Sequence, residues 1–419
     1  MASPTTYTEQ RRAFFARFPD FWSDVEGEEY ALLQTHTLRL DDHAALQQAA
    51  RAIYPIFVRT AALVRTLDDA TLLQLGLPQE TLAVVRQVTP GVSDVPFGRL
   101  DLILGPDGHF KLIEFNTDTP AFTRECFEIN GKVCAHFGLP DPNAGETERL
   151  LAVVSRTLGA SLAHLQTHEA RPLVVGSSLD GHVEDWGTTE FICELLRKVP
   201  GIDVRHIPIS QLGLTDDALV DSADGRPIAL LYRLYPLEWF VQDRDAQGNA
   251  PGAQLLALVE RRCVALLNPP GAFLWQSKAL QALIWGLYEQ GSFFDSAERE
   301  TIATYFLPTY LDPAFAGERH IVKPFYGREG HSVRLHGPDG AVETAGGLGL
   351  YDDQPMLWQK YVPMPTVAVT TEAGEKTLSL LHSIFVLDGE PSAVGLRVSG
   401  PVTDDDSLFL PVALGTELG

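Results

Sequence analysis

The segment 171–209 constrains the fold most. RPLVVGSS (171–178) is a short apolar run, TTEFICELLRKV (188–199) has the apolar spacing of a helix, and DVRHIPI (203–209) is a second strand-like run. Strand, helix, strand in that order requires a crossover, so both strands lie parallel in one sheet. IALLYRLYPL (228–237) predicts a third strand, which makes 170–267 a small α/β domain. At 419 residues the chain has room for two or three bodies of this size.

Residues 8–88 carry helical periodicity, as in DDHAALQQAARAIYPIFVRTAALVRTL (41–67), and predict a helical opening that serves packing. RLDLIL and HFKLIEFN flank a GPDG turn and predict a β-hairpin. GLPDPNAGE (138–146) separates that hairpin from a helix over 147–168. NPPGAFLWQSKALQALIWGLYEQG (268–291) reads as a Pro-rich loop and a helix. HIVKPF, SVRLHG, MLWQKYV, LSLLHSIFVLDG and SAVGLRVSG then make the last third mostly strand. The expected class is mixed α/β (α+β), divided at 1–169, 170–267 and 268–419.

The hairpin holds the first residues with chemistry in them. With a four-residue loop at 105–108, Leu104 opposes His109, Asp101 opposes Leu112 and Arg99 opposes Glu114. Side chains alternate, so Arg99, Asp101, Glu114 and Asn116 share one face, and Leu100, Leu102, Ile113 and Phe115 the other. Two carboxylates and an amide oxygen beside an arginine form a hard oxygen set suited to Mg²⁺ carrying phosphate. A solvated hairpin face with an Arg99–Glu114 pair has the same pattern.

Further along, Lys323 lies on a predicted strand just before Gly327-Arg328-Glu329-Gly330, a turn able to offer backbone N–H groups to phosphate. G-x-x-x-x-G-K-[ST] is absent, so this is no P-loop, and a plain hairpin turn fits as well. Lys278 begins a helix among apolar residues, where a lysine is costly unless paired or reaching solvent. WQKYVPMP (358–365) predicts a strand running into a hinge whose backbone groups could read adenine. Arg397, in GLRVSG, suits a bidentate clamp on phosphate or carboxylate, or a structural ion pair. The loop 177–190, at the carboxyl end of the first parallel strand, carries His182, Glu184 and Asp185, a place where ligands collect in such sheets.

Charge excludes some partners. The chain has 32 Lys and Arg against 55 Asp and Glu, a net −23, which repels nucleic acid and anionic membrane and is compatible with a cationic substrate. Cys126, Cys134, Cys193 and Cys263 form no C-x-x-C pair and read as reduced thiols. The N-terminus lacks an apolar leader core, and no run nears the ~20 apolar residues of a membrane span, so the expected location is the cytoplasm.

Taken in order, RLDLIL…KLIEFNTDTP, LYRLYPLEW, the WQSKA helix, IVKPFYGREGHSV, WQKYVPMP and GEPSAVGLRVSG resemble the synthetase part of the glutathionylspermidine synthase family. The resemblance runs from about Arg99 to Pro411. It implies a permuted ATP-grasp fold beside a small pre-ATP-grasp-like domain, and an ADP-forming ligase that joins a carboxylate to an amine through an acyl phosphate. It implies ATP and Mg²⁺, with Asp101, Glu114 and Asn116 on the metal and Lys278 and Lys323 on the phosphates. Gly327, Arg328, Glu329 and Gly330 would cover the triphosphate, and Gln359 and Lys360 would flank adenine. Arg99 and Arg397 would bind the transferred phosphate. The length matches the stand-alone synthetase form, without the amidase of bifunctional members. The acid and amine are small molecules that these motifs do not specify. A non-catalytic ATP-binding module and a metal-dependent hydrolase are the competing classes.

Overall fold

The computed structural model describes residues 6–166, 169–347, 349–403 and 406–415. The first five residues of the stretch read above for a leader lie outside them. No helix among the described residues is long and apolar enough to cross a membrane.

The helical opening is dominated by α1 (Leu40–Val64), which buries Leu46, Ala49, Ile53, Ile56, Phe57 and Val64 along one stripe. That stripe lies on the hairpin formed by β1 (Phe97–Leu104) and β2 (Phe110–Asn116), where Phe57 meets the Phe115 ring edge-on at 5.2 Å. The hairpin register differs from the expected one. Leu104 faces Phe110, Leu102 faces Leu112, Asp101 faces Glu114 and Arg99 faces Asn116, with an irregularity between Asp101 and Leu102. The loop is one residue longer than predicted, and a bulge at Ile113 then restores the parity of the strand. Leu112 therefore joins Leu100, Leu102 and Phe115 in the core, in place of Ile113. The four polar residues stay on one face.

Next come α2 (Glu146–Ala163), β3 (Leu173–Ser178), α3 (Val183–Leu196), β4 (Asp203–Pro208), β5 (Arg226–Leu234) and β6 (Ala265–Leu267). The four strands are parallel in the order β4-β3-β5-β6. β3 is buried at all six positions, which explains its unbroken apolar sequence. Helix α3 starts five residues before the predicted 188. His182 caps it, accepting the Asp185 N–H at 3.4 Å, and Glu184 and Asp185 sit in the first turn, where the helix dipole favours carboxylates. The polar loop expected to hold these acids is therefore mostly helix.

The segment after Asn268 forms two helices: Ala272–Gln276, then α4 (Ala279–Gln290), with Ser277 extended between them and Lys278 at the break. β7 (His320–Pro324) and β8 (Met356–Lys360) pair antiparallel at the centre of a five-stranded sheet. The long ribbon β9 (Gly374–Leu387) and β10 (Glu390–Ser399) joins the hairpin through β9 against β1. Arg397 on β10 and Ser383 on β9 thus arrive beside Asp101 on β1.

Candidate active site

Asp101 is fully buried and saturated. Arg99 clamps it with two bonds, Nε to Oδ1 at 2.9 Å and Nη2 to Oδ2 at 3.0 Å. Arg397 Nη2 reaches Oδ2 at 2.7 Å, Ser383 Oγ donates to Oδ1 at 2.7 Å, and Asn116 Nδ2 donates to Oδ2 at 3.1 Å. Both guanidiniums lie over the Phe122 ring, at 5.9 and 5.8 Å. Arg397 Nε is buried without a hydrogen-bond partner.

The same Asn116 amide donates to Glu114 Oε1 at 3.1 Å, bridging the two carboxylates. Lys278 Nζ lies 3.1 Å from Glu114 Oε2 and 3.0 Å from the Gly327 carbonyl. Lys323 Nζ donates to the Ile113 carbonyl and to Gln359 Oε1, each at 2.9 Å. The bulge has a use here, since it turns the Ile113 carbonyl toward this ammonium. Burial raises the Glu114 carboxyl, but the charges of Lys278 and Lys323 outweigh it and hold the group well below the usual carboxylate range. Burial, then the Lys278 charge, pushes Lys323 down to about 7 against the pull of Glu114.

The glycine turn lies against the same cluster. Glu329 and Gly330 both have positive φ, 50° and 71°. Arg328 Nη2 donates to Thr119 Oγ1 at 2.6 Å, and its Nε is 3.8 Å from the buried Glu238. Glu329 contributes to the field at Glu184 and Asp185. Burial, then the Glu125 charge, raises Glu184 to about 8; burial raises Asp185 to about 6 against His182 and Arg328. Glu125 accepts the Tyr30 hydroxyl at 2.6 Å. The site therefore has a cationic pole of Arg99, Arg397, Lys278 and Lys323 and an acidic pole of Glu125, Glu184 and Asp185.

Most sequence-predicted residues meet in this network: Arg99, Asp101, Glu114, Asn116, Lys278, Lys323, Gly327, Arg328, Gln359 and Arg397. Lys360 is exposed and alternates away from the buried Gln359 along β8. Several contributors escaped the sequence reading. Asp118 pairs with Arg233 in full burial, with Nη1 to Oδ2 at 3.0 Å, and accepts the Leu237 N–H at 3.1 Å. Gln276 Oε1 accepts the Thr117 and Asp118 N–H groups, and Asn268 Nδ2 donates to the Phe97 and Thr117 carbonyls. These bonds fix the loop just beyond Asn116. Arg233 lies inside the quoted LYRLYP run, where a charge in a buried strand was the available signal.

Among the described residues, no cluster of three or more His, Cys, Asp and Glu is arranged to hold a metal ion. Asp101 and Glu114 are already engaged by cations, so the set fits a divalent ion only when phosphate oxygens arrive with it and draw the arginines and Lys278 away. The cationic excess fits a polyanion directly.

The pattern of the glutathionylspermidine synthase pre-ATP-grasp family matches residues 10–415. The chain belongs to that family. One relative, a protein of Haemophilus influenzae (strain ATCC 51907 / DSM 11121 / KW20 / Rd) bearing an acid–amine ligase name, is 25% identical over 329 residues, covering 75% of this chain and 73% of that protein. A glutathione synthetase-like effector of Globodera pallida, solved in apo form, superposes with a TM-score of 0.58 at 12% identity, covering 97% of this chain and 95% of the other. This member of the glutathionylspermidine synthase family thus has a mixed α/β fold of the glutathione synthetase kind, and membership of a synthase family supports a ligase.

Proposed function

We propose that the protein is an ATP-grasp ligase that joins a small carboxylic acid to an amine and forms ADP. The observation that carries this reading is the convergence of Arg99, Arg397, Lys278 and Lys323 on the Asp101–Glu114–Asn116 face. In it, residues 1–169 and 268–419 grip the nucleotide, as in a permuted ATP-grasp module, and 170–267 form the small accompanying domain.

A carboxylate attacking the γ-phosphorus meets strong negative charge, and the cationic pole lowers that barrier. The new O–P bond forms as the β,γ-bridging bond breaks, which gives an acyl phosphate and ADP. Lys278 and Lys323 hold the phosphates, the turn 327–330 covers them, and Gln359 borders the base. Arg99 and Arg397, oriented by Asp101, receive the transferred phosphoryl group; the free Arg397 Nε is a ready donor for it. Asp101, Glu114 and Asn116 would hold magnesium, which neutralises phosphate charge when bound. The acidic pole suits an amine arriving as its ammonium form.

Incubation with ATP, Mg²⁺ and panels of acids and amines tests the reading, with ADP and a new amide scored by mass. Amide formed with stoichiometric ADP is the expected result. Amine-independent ATP loss at the full rate makes the protein a hydrolase, and tight ATP binding without ADP makes it an idle nucleotide module.

A further inference from the structure

Glu125 opens a π-helical turn, Glu125–Ile129, a distortion that often marks functional positions. Its side chain is buried at 2% exposure, yet it has no ion pair among the described residues. One oxygen accepts the Tyr30 hydroxyl, and the other, Oε2, has no hydrogen-bond partner. The cations whose charges act on it direct their hydrogen bonds elsewhere: Arg99 to Asp101 and the Ala121 carbonyl, Arg124 to Glu194 and the Asp20 carbonyl, with Arg124 Nε 3.7 Å from Glu128. The other titratable groups whose fields reach it are Glu184, the Cys126 thiol and Tyr30 itself. A buried carboxyl with an unpaired oxygen is costly unless a cation or a proton comes to it. Tyr30 also feels Arg397, which puts the pair between the arginine pole and the first turn of α3.

We propose that Glu125 is the base that takes the proton shed by the acceptor amine when its nitrogen becomes a nucleophile. This rests on the ligase reading above. The ammonium gives one proton to Glu125 Oε2, and its freed lone pair forms the C–N bond at the acyl carbon. The C–O bond to phosphate breaks with its electron pair on oxygen, and the second nitrogen proton leaves with the phosphate. Burial raises the Glu125 carboxyl above the ordinary range, only partly offset by the Tyr30 bond, which is the direction a base working near neutrality needs.

The test compares wild type with Glu125→Gln, which keeps an amide oxygen for Tyr30 and so should keep the same melting temperature. Both are given ATP, Mg²⁺ and an acid panel of glutathione and free amino acids. The acceptors are protonated amines, spermidine and ammonia among them, or hydroxylamine, which is uncharged at neutral pH. Amide formation from protonated amines should fall by about a hundredfold or more, while hydroxamate formation falls far less. Equal losses with both acceptor types, or no loss of amide, overturn the assignment. Wild-type hydroxamate without any amide overturns it too, because no protonated amine is then an acceptor. Absence of both products from wild type defeats the ligase reading itself. Tyr30→Phe supplies a second readout: losing that bond should move the acid limb of the amide pH profile upward, and an unmoved limb counts against Glu125.

Discussion

Asp101 takes five donors on two oxygens, whereas Glu114 keeps its contacts to one lysine and one amide. Substitutions at these two positions should therefore behave differently. Asp101→Asn strands two arginines in a buried setting, so it should lose stability as well as turnover. Glu114→Gln is the cleaner probe: turnover should drop by about a hundredfold or more, the ~3–4 kcal/mol expected for a lost charge stabiliser, with a smaller loss of stability because Lys278 alone is left short of its carboxylate. Lys323 gives a pH prediction. Its folded value, about 7, lies below that of an unfolded lysine, so between roughly pH 7 and 10.5 the unfolded chain binds more protons, and this group's contribution makes the ligand-free protein more stable as pH rises. A bound triphosphate favours the charged amine, so nucleotide binding above pH 7 should take up a proton and weaken as pH climbs. Calorimetry in buffers of different ionisation enthalpy measures that uptake, and Lys323→Met should abolish it.

The hairpin illustrates what a sequence can and cannot reveal about an element. Alternation placed Arg99, Asp101, Glu114 and Asn116 on one face, and they lie there, but through two shifts that cancel: a loop one residue longer and a bulge at Ile113. A bulge leaves no mark in composition, so the pairing itself was not legible. Helices and strands with strong periodicity were. The partners of the charges were harder to read, because Ser383, Gln276, Asn268 and Asp118 come from elements brought together only by the tertiary fold. Asp118 and Arg233 join the loop after β2 to β5, with both side chains at zero exposure. Asp118→Asn leaves that guanidinium uncompensated, and denaturant unfolding should register a loss of about 3–5 kcal/mol. Arg233→Met combined with Asp118→Leu should recover much of it, since a well-packed apolar pair avoids the desolvation cost.

At the scale of the whole molecule, a net charge of −23 surrounds a site whose centre is cationic. On the ligase reading proposed above, the long-range field opposes an approaching nucleotide and the local one receives it. Raising ionic strength toward 0.15 M, where screening acts within about 8 Å, should speed ATP association and slow that of a cationic amine. Stopped-flow measurements across a salt series would report opposite slopes for the two ligands. The six motifs foretold this family from the chain alone, because each one contains a residue of the cluster or of the bonds that support it. The acidic pole was half visible: Glu184 and Asp185 stand out beside the first parallel strand, whereas Glu125 lies on a π-turn that brings it to them only in the folded chain.

Asn116 has one more implication. Its amide nitrogen donates to both Asp101 and Glu114, each at 3.1 Å, so on the magnesium reading proposed above the ligand-free protein carries a built-in stopper between the two carboxylates. Magnesium salts alone should bind feebly and heat release should appear only once nucleotide is added, making the order of addition obligatory. Replacing that stopper with a third carboxylate, Asn116→Asp, should let the bare ion in first, and titration with Mg²⁺ in the absence of ATP would detect the reversal.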